Sequence, residues 1–274
     1  MAFEAQGGPN AGKAEAFRGI ERYREAWMKA IILAAGAGHR MRSAFEDPKC
    51  LMTVGGRTLL ERTMKAIHRA GVDEAVLVAG YRQDRVARAL KTLRPEVPSR
   101  LIVNSEYRRG SVLSLHAAAD ALAGEVLVMD GDLWFEGPFL DRAVRSGCRD
   151  AFLLDGGAEN DGEAVMVGFR GGRAVALGRG LRGDYYLVGE WAGVLRLSSF
   201  GAERLRDAVQ EEVDAGRIEQ GYEFVVPRLF DLLEIGCERV DDLRWVEIDF
   251  PSDRDRARLL SREGRAPAER RGAP

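Results

Sequence analysis

A glycine-rich turn, Leu33-Ala34-Ala35-Gly36-Ala37-Gly38-His39-Arg40-Met41, is followed shortly by Pro48-Lys49. Glycines at 36 and 38 let successive backbone N–H groups point at one anion, and Arg40 and Lys49 can add two cations to a polyphosphate. By itself the turn also suits a dinucleotide fold or an ordinary tight turn, and either cation alone can be a solvated surface charge. A second constellation, Asp130-Gly131-Asp132, ends the apolar run Val126-Leu127-Val128-Met129. Acids ending a buried strand are costly unless solvated or bound to a cation, and hard oxygen donors suit magnesium; a polar turn is the plainer alternative. A third, Glu247-Ile248-Asp249, closes a late strand-like run, where alternation puts Glu247 and Asp249 on one side. Asn104 and the Gly110-Ser111-Val112-Leu113-Ser114-Leu115 segment offer a helix start with free N–H groups and hydroxyls suited to a base or ribose, although capping by Ser111 explains it equally well.

The elements that must hold these groups follow from hydrophobic spacing. Short apolar runs at 29–33, 75–78, 101–103 and 126–129 alternate with helical patterns, the mark of βαβ units, and their continuous character predicts strands covered on both faces. Leu60, Met64 and Ile67 recur at helical spacing ahead of Gly71, a fitting C-terminal cap. The predicted fold class is α/β, a Rossmann-like mixed, mostly parallel sheet flanked by helices. After about residue 150 the pattern changes to strand-like pieces at 151–154, 163–169, 173–177 and 191–197, with Gly171-Gly172 as a hairpin signal. A small β lobe is expected there. The run at 245–249 is expected to rejoin the main sheet.

A chain of 274 residues, 46% hydrophobic, can bury one substantial core. The expected organisation is a flexible extension over 1–27, one domain over 28–262 and a solvated tail over 263–274. Within the domain, 28–150 forms the nucleotide-binding half and 151–262 the acceptor-binding half. Lys plus Arg number 41 against 43 Asp plus Glu, so no general attraction to nucleic acid or an anionic membrane is expected. Cys50, Cys148 and Cys237 lack paired spacing, which argues against a zinc site or a disulfide framework and for a reduced, cytoplasmic protein. No secretory signal or membrane span is read, and an oligomer is left open.

Taken in order, Leu33 to Met41, Pro48-Lys49-x-Leu51, Gly55-Gly56 and Leu59-Leu60-x-Arg62 resemble the signature of the sugar-phosphate-type, MobA-like nucleotidyltransferases. The resemblance implies that Leu33, Ala34, Ala35, Gly36 and Gly38 line a nucleotide site and that Arg40 and Lys49 act on the phosphates. His39 departs from the usual Thr or Ser. Asp132 matches the metal-binding strand end, with Asp130 nearer the nucleotide. Trp245-x-x-Ile248-Asp249 resembles the segment carrying the second metal-binding Asp, leaving Glu247 a structural, surface or lobe-contact role. The Gly110 to Leu115 segment resembles the phosphocholine, phosphonate and inositol-phosphate cytidylyltransferases, which makes Ser114 the base-site candidate, with Asn104, Ser111, Gly80 and Tyr81 beside it. Gly189-Glu190-Trp191-x-Gly193 resembles an acceptor-facing strand, so Glu190 or Trp191 could meet a cationic head group, with core packing the plainer role for Trp191.

The implied activity is transfer of CMP from CTP, with Mg2+, to the phosphate or phosphonate of a small alcohol-type metabolite, releasing pyrophosphate. A sugar-1-phosphate enzyme using UTP, dTTP or GTP shares the same loop and acids. A nucleotide-binding regulator of the same fold would not need both metal carboxylates.

Overall fold

The computed structural model describes residues 27–160 and 162–263. The predicted extension and tail therefore lie outside the described residues, except for Trp27 and Glu263.

The parallel part of the sheet is formed by β1 (Met28–Ala34), β4 (Glu74–Ala79), β5 (Ser99–Val103) and β6 (Glu125–Asp130), with β1 at the centre between β4 and β6 and β5 outside β4. The hairpin of β2 (Thr53–Val54) and β3 (Arg57–Thr58) stands apart and leads into α1 (Leu59–Ala70). Thr58 caps α1 by accepting from the Glu61 N–H at 3.0 Å, and Gly71 ends it at φ 84°, where its N–H reaches the Ile67 and His68 carbonyls. The helices α2 (Gln83–Leu93) and α3 (Ser111–Ala117) complete the two crossovers that follow.

Both faces of the sheet are covered, as the continuous apolar runs require. Ile31, Val76 and Val128 point into one core with Val112 and Leu115 of α3 and with Leu205 and Val209 of α5 (Ser199–Asp214). Ile32, Leu77 and Met129 point into the other with Leu60, Met64 and Ile67 of α1 and with Phe139 and Leu140 of α4 (Phe139–Val144).

Beyond β6 the sheet becomes mixed. It continues through β8 (Ala151–Asp155), β9 (Val165–Arg170), β10 (Arg173–Arg179) and β11 (Leu187–Leu197), with β12 (Gly236–Arg239) added parallel to β8. The strands assigned from sequence to a small β lobe are thus the antiparallel portion of the main sheet. The long β11 makes this continuity: Leu187 to Glu190 pair with β9, and Val194 to Leu197 pair with β6. Gly171 and Gly172, at φ 59° and 80°, close the β9–β10 hairpin in the left-handed region that such a turn demands.

The late strand β13 (Trp245–Glu247) does not rejoin the main sheet. It pairs instead with the short β7 (Leu133–Phe135), which follows the turn after β6, and α6 (Pro251–Glu263) continues from it. The turn at Gly131-Asp132 sends the chain off the sheet, so the partner that β13 finds is the excursion itself. No helix of the described residues is long and apolar enough to cross a membrane.

Candidate active site

The functional groups collect at the carboxyl ends of β1 and β6, where an open α/β sheet leaves a crevice. Gly38 stands at φ 58° and ψ 44°, a left-handed turn that opens a short 3-10 segment over His39–Met41 with Met41 buried beneath it. The Gly131 N–H donates to the Leu33 carbonyl at 2.9 Å. A β-carbon on Gly131 would lie 2.6 Å from the Ala34 side chain, so glycine there lets the two strand-end turns meet edge to edge.

Lys49 follows Pro48 at the start of a second short 3-10 segment, and its aliphatic stem runs past the bare α-carbon of Gly38. Its Nζ donates to Asp132 Oδ2 at 2.7 Å and to Asp249 Oδ1 at 2.6 Å. Arg40 Nη1 lies 3.1 Å from Asp249 Oδ2, and the guanidinium rests over the Phe250 ring, 4.9 Å from its centroid. Asp249 is held from behind: Asp253 Oδ2 accepts from the N–H groups of Asp249 and Phe250 at 2.9 and 2.6 Å. The Ile248 N–H donates to the Asp132 carbonyl at 3.2 Å, which ties the two acidic turns together. Burial works against charge on both Lys49 and Asp249. The Asp132 and Asp249 carboxylates nevertheless raise the Lys49 ammonium above the usual lysine range, and Lys49 and Arg40 hold the Asp249 carboxyl below the usual carboxylate range.

Glu247 corrects the sequence reading. It is neither a surface residue nor a lobe contact, because the pairing of β13 with β7 points its carboxylate at the same spot as Asp132 and Asp249. One oxygen from each of the three lies within 4.8 Å of the others, a set of hard donors that fits a divalent cation such as magnesium. Burial first, and then the charges of Asp132, Asp130 and Asp249, push the Glu247 carboxyl well above its ordinary value. Asp130 is raised likewise by burial and by Asp132, against the hydrogen bond it accepts from Tyr222 Oη at 3.1 Å.

A cavity of about 320 Å3 opens over these groups. The structure brings Leu33, Ala34, Ala35, Gly36, Gly38, Arg40, Lys49, Ser111, Ser114, Asp130, Asp132 and Asp249 to its walls, together with His39, Cys50, Gly131 and Glu247. The Cys50 thiol is pushed up to about 12 by burial and by Asp132.

The other candidate residues are not among those that line the cavity. Asn104 is buried and donates from Nδ2 to Ser114 Oγ at 3.0 Å. Gly80 packs where a β-carbon would lie 2.9 Å from the Ala35 carbonyl, and the Tyr81 N–H donates to that carbonyl at 3.0 Å. The Tyr81 hydroxyl donates to the Glu46 carbonyl at 3.0 Å, and Arg42 lies over its ring. Glu190 sits in β11 opposite Asp155 and Met166. Trp191 is buried, edge-on to Phe152 and Tyr222 with ring centroids 5.3 and 5.4 Å away.

Sequence reasoning missed Tyr222. Besides its bond to Asp130, its backbone N–H donates to Ser111 Oγ at 2.9 Å. It thereby joins the C-terminal half of the chain to both the Ser111 helix start and the Asp130 strand end of the N-terminal half. No local pattern marks it; the flanking Gly221-Tyr222-Glu223 reads as an ordinary turn.

Residues 30–215 match the MobA-like NTP transferase domain. The chain belongs to this family. Among relatives of this MobA-like chain, a bifunctional IPC transferase and DIPP synthase of Aquifex aeolicus is 30% identical over 234 residues, which cover 84% of this chain and 50% of the relative. A choline-phosphate cytidylyltransferase of Streptococcus pneumoniae is 26% identical over 159 residues, covering 54% of this chain and 68% of the relative. The solved structure of CTP:phosphocholine cytidylyltransferase from Streptococcus pneumoniae shares the fold, with a TM-score of 0.72 at 20% identity over 85% of this chain and 99% of that one. The chain spans about half the length of the first curated relatives it matches.

Proposed function

We propose that this MobA-like chain transfers CMP from CTP to the phosphate or phosphonate of a small alcohol-type metabolite and releases pyrophosphate. One observation carries the reading: a single cavity is walled by the Gly36 to Arg40 turn, by Lys49 and by three converging carboxylates. A phosphate-binding turn and a hard-cation site side by side suit a nucleoside triphosphate better than a nicotinamide cofactor, which calls for no acidic triad. The Ser111 to Leu115 helix start at the wall of the cavity, and the relatedness to a choline-phosphate cytidylyltransferase, support CTP and an alcohol phosphate.

Asp132, Glu247 and Asp249 would hold Mg2+, which when bound supplies charge neutralisation and alignment of the triphosphate. The remaining work falls to the chain. The Gly36 to Gly38 backbone binds the triphosphate. Arg40 and Lys49 offset the negative charge that gathers as an acceptor oxygen attacks the α-phosphorus and the bond to the β-phosphate oxygen breaks, with the electron pair leaving on pyrophosphate. An acceptor phosphate is substantially ionised near neutrality, so no side chain has to remove a proton. His39, His68 and His116 accordingly need no catalytic part. A reduced, cytoplasmic setting belongs to this reading.

The test is pyrophosphate release measured with CTP, UTP, dTTP and GTP against phosphocholine, aminoethylphosphonate, inositol-1-phosphate and glucose-1-phosphate. CTP with an alcohol phosphate or a phosphonate is the expected pair. Turnover confined to glucose-1-phosphate with another triphosphate would place the chain among the sugar-1-phosphate enzymes, and no turnover with nucleotide binding retained would make it a regulator.

A further inference from the structure

The cation lying between Asp132 and Asp249 is the chain's own: Lys49 Nζ stands 2.7 Å from one carboxylate and 2.6 Å from the other. These are two of the three acids whose oxygens converge within 4.8 Å, so the ammonium is bonded to two of the three carboxylates that would take a divalent ion. One carboxylate oxygen cannot serve a short ammonium contact and a tight ion contact in the same direction, and two cations at such range repel strongly. Resting on the metal assignment above, we infer that Lys49 is a displaceable internal counter-ion of the metal site, exchanged out of it when a divalent cation enters.

The geometry gives the ammonium somewhere to go. Its stem passes Gly38, where a β-carbon would lie 3.2 Å from Cγ and 3.3 Å from Cε, so rotation about the terminal bonds carries Nζ along the phosphate-binding turn. Lysine suits this exchange because its charge is a point on a flexible four-carbon stem with no fixed fork geometry. Arg40 remains on the other oxygen of Asp249 at 3.1 Å, so that carboxylate keeps a partner during the exchange. The site then works as a relay. An incoming ion frees the ammonium, the freed ammonium meets the triphosphate, and by reciprocity the triphosphate favours ion entry. Without nucleotide, Lys49 lowers the affinity of the site for its ion.

The experiment is a titration of the nucleotide-free protein with Mn2+, an ion suited to the same carboxylate donors and read by the electron paramagnetic resonance of the free ion. Lys49→Met should bind Mn2+ at least about tenfold more tightly than wild type, because one like charge beside the ion is gone. A lysine that serves only the phosphates predicts equal affinity, and equal or weaker binding in the variant overturns the exchange. Binding in neither protein overturns the metal assignment as well, which separates the two failures. Should Lys49→Met fold poorly, wild type still decides: acetic anhydride labelling followed by mass spectrometry should modify Lys49 faster once Mn2+ is added. Unchanged labelling at an ion concentration shown to saturate the protein overturns the inference.

Discussion

The phenol of Tyr222 donates to Oδ1 of Asp130 across 3.1 Å, joining residues 92 positions apart in the chain. Asp130 is half-buried at the end of β6, two residues before Asp132, and its other oxygen faces Gly193, where a β-carbon would lie 3.0 Å away. Removing the hydroxyl alone, as Tyr222→Phe, leaves a half-buried carboxyl short of a partner, at a cost of about 1 kcal/mol. The variant should melt earlier and lose kcat/KM, since the Asp130 to Asp132 turn would no longer be fixed. Thermal unfolding and steady-state kinetics check it, and wild-type values for both would remove Tyr222 from the site.

Asp132→Asn and Asp249→Asn should each abolish most turnover while leaving the fold intact. Each change removes a charged donor of the converging triad, and loss of metal-derived charge stabilisation costs several kcal/mol in the transition state. The far-ultraviolet dichroism of both variants should match wild type. Near-normal turnover in either at saturating magnesium would defeat the assignment.

Ser114 Oγ accepts from Asn104 Nδ2 at 3.0 Å, which leaves the serine proton free to be donated at the cavity wall. If that donor reads the base, Ser114→Ala should narrow the preference for CTP over UTP, by up to about 1–3 kcal/mol in the ratio of kcat/KM values. Equal efficiency with all four triphosphates in the wild-type protein would refute the cytidine reading at once.

Much of this arrangement is legible in the sequence, and the part that is not has a common cause. The Gly36 to Arg40 turn, the apolar run into Asp130, and Gly71 at the end of α1 are local signals, because the residues that make the structure are neighbours in the chain. Alternation along the run 245–249 puts Glu247 and Asp249 on one side, although β13 itself ends at Glu247 and Asp249 lies two residues beyond it. What that side faces depends on β13 choosing β7 over the main sheet, a long-range pairing that leaves no periodicity behind. The antiparallel strands after residue 150 were similarly visible as strands. Their attachment through a single long β11 was not, since the change of partner at its middle turns on Gly193 at φ 67°.

Glu247 makes the last prediction. Its carboxyl is raised well above the ordinary 4.5 by burial and by the neighbouring acids, so the folded state holds this proton more tightly than the unfolded chain does. Stability linked to the group is then complete below 4.5 and falls as pH climbs toward the folded value, because unfolding releases a proton across that interval. In chelator, the melting temperature of wild type should therefore decline as pH rises above 4.5, and Glu247→Gln should flatten the decline because its amide cannot ionise. Asp130, raised for the same reasons, leaves a residual slope in the variant. Magnesium should restore the wild-type melting temperature at the upper end of the range and restore that of Glu247→Gln less, since an ion that binds the ionised carboxylate favours the deprotonated fold. Parallel pH profiles for the two proteins, with and without magnesium, would show that Glu247 neither holds the proton nor serves the ion.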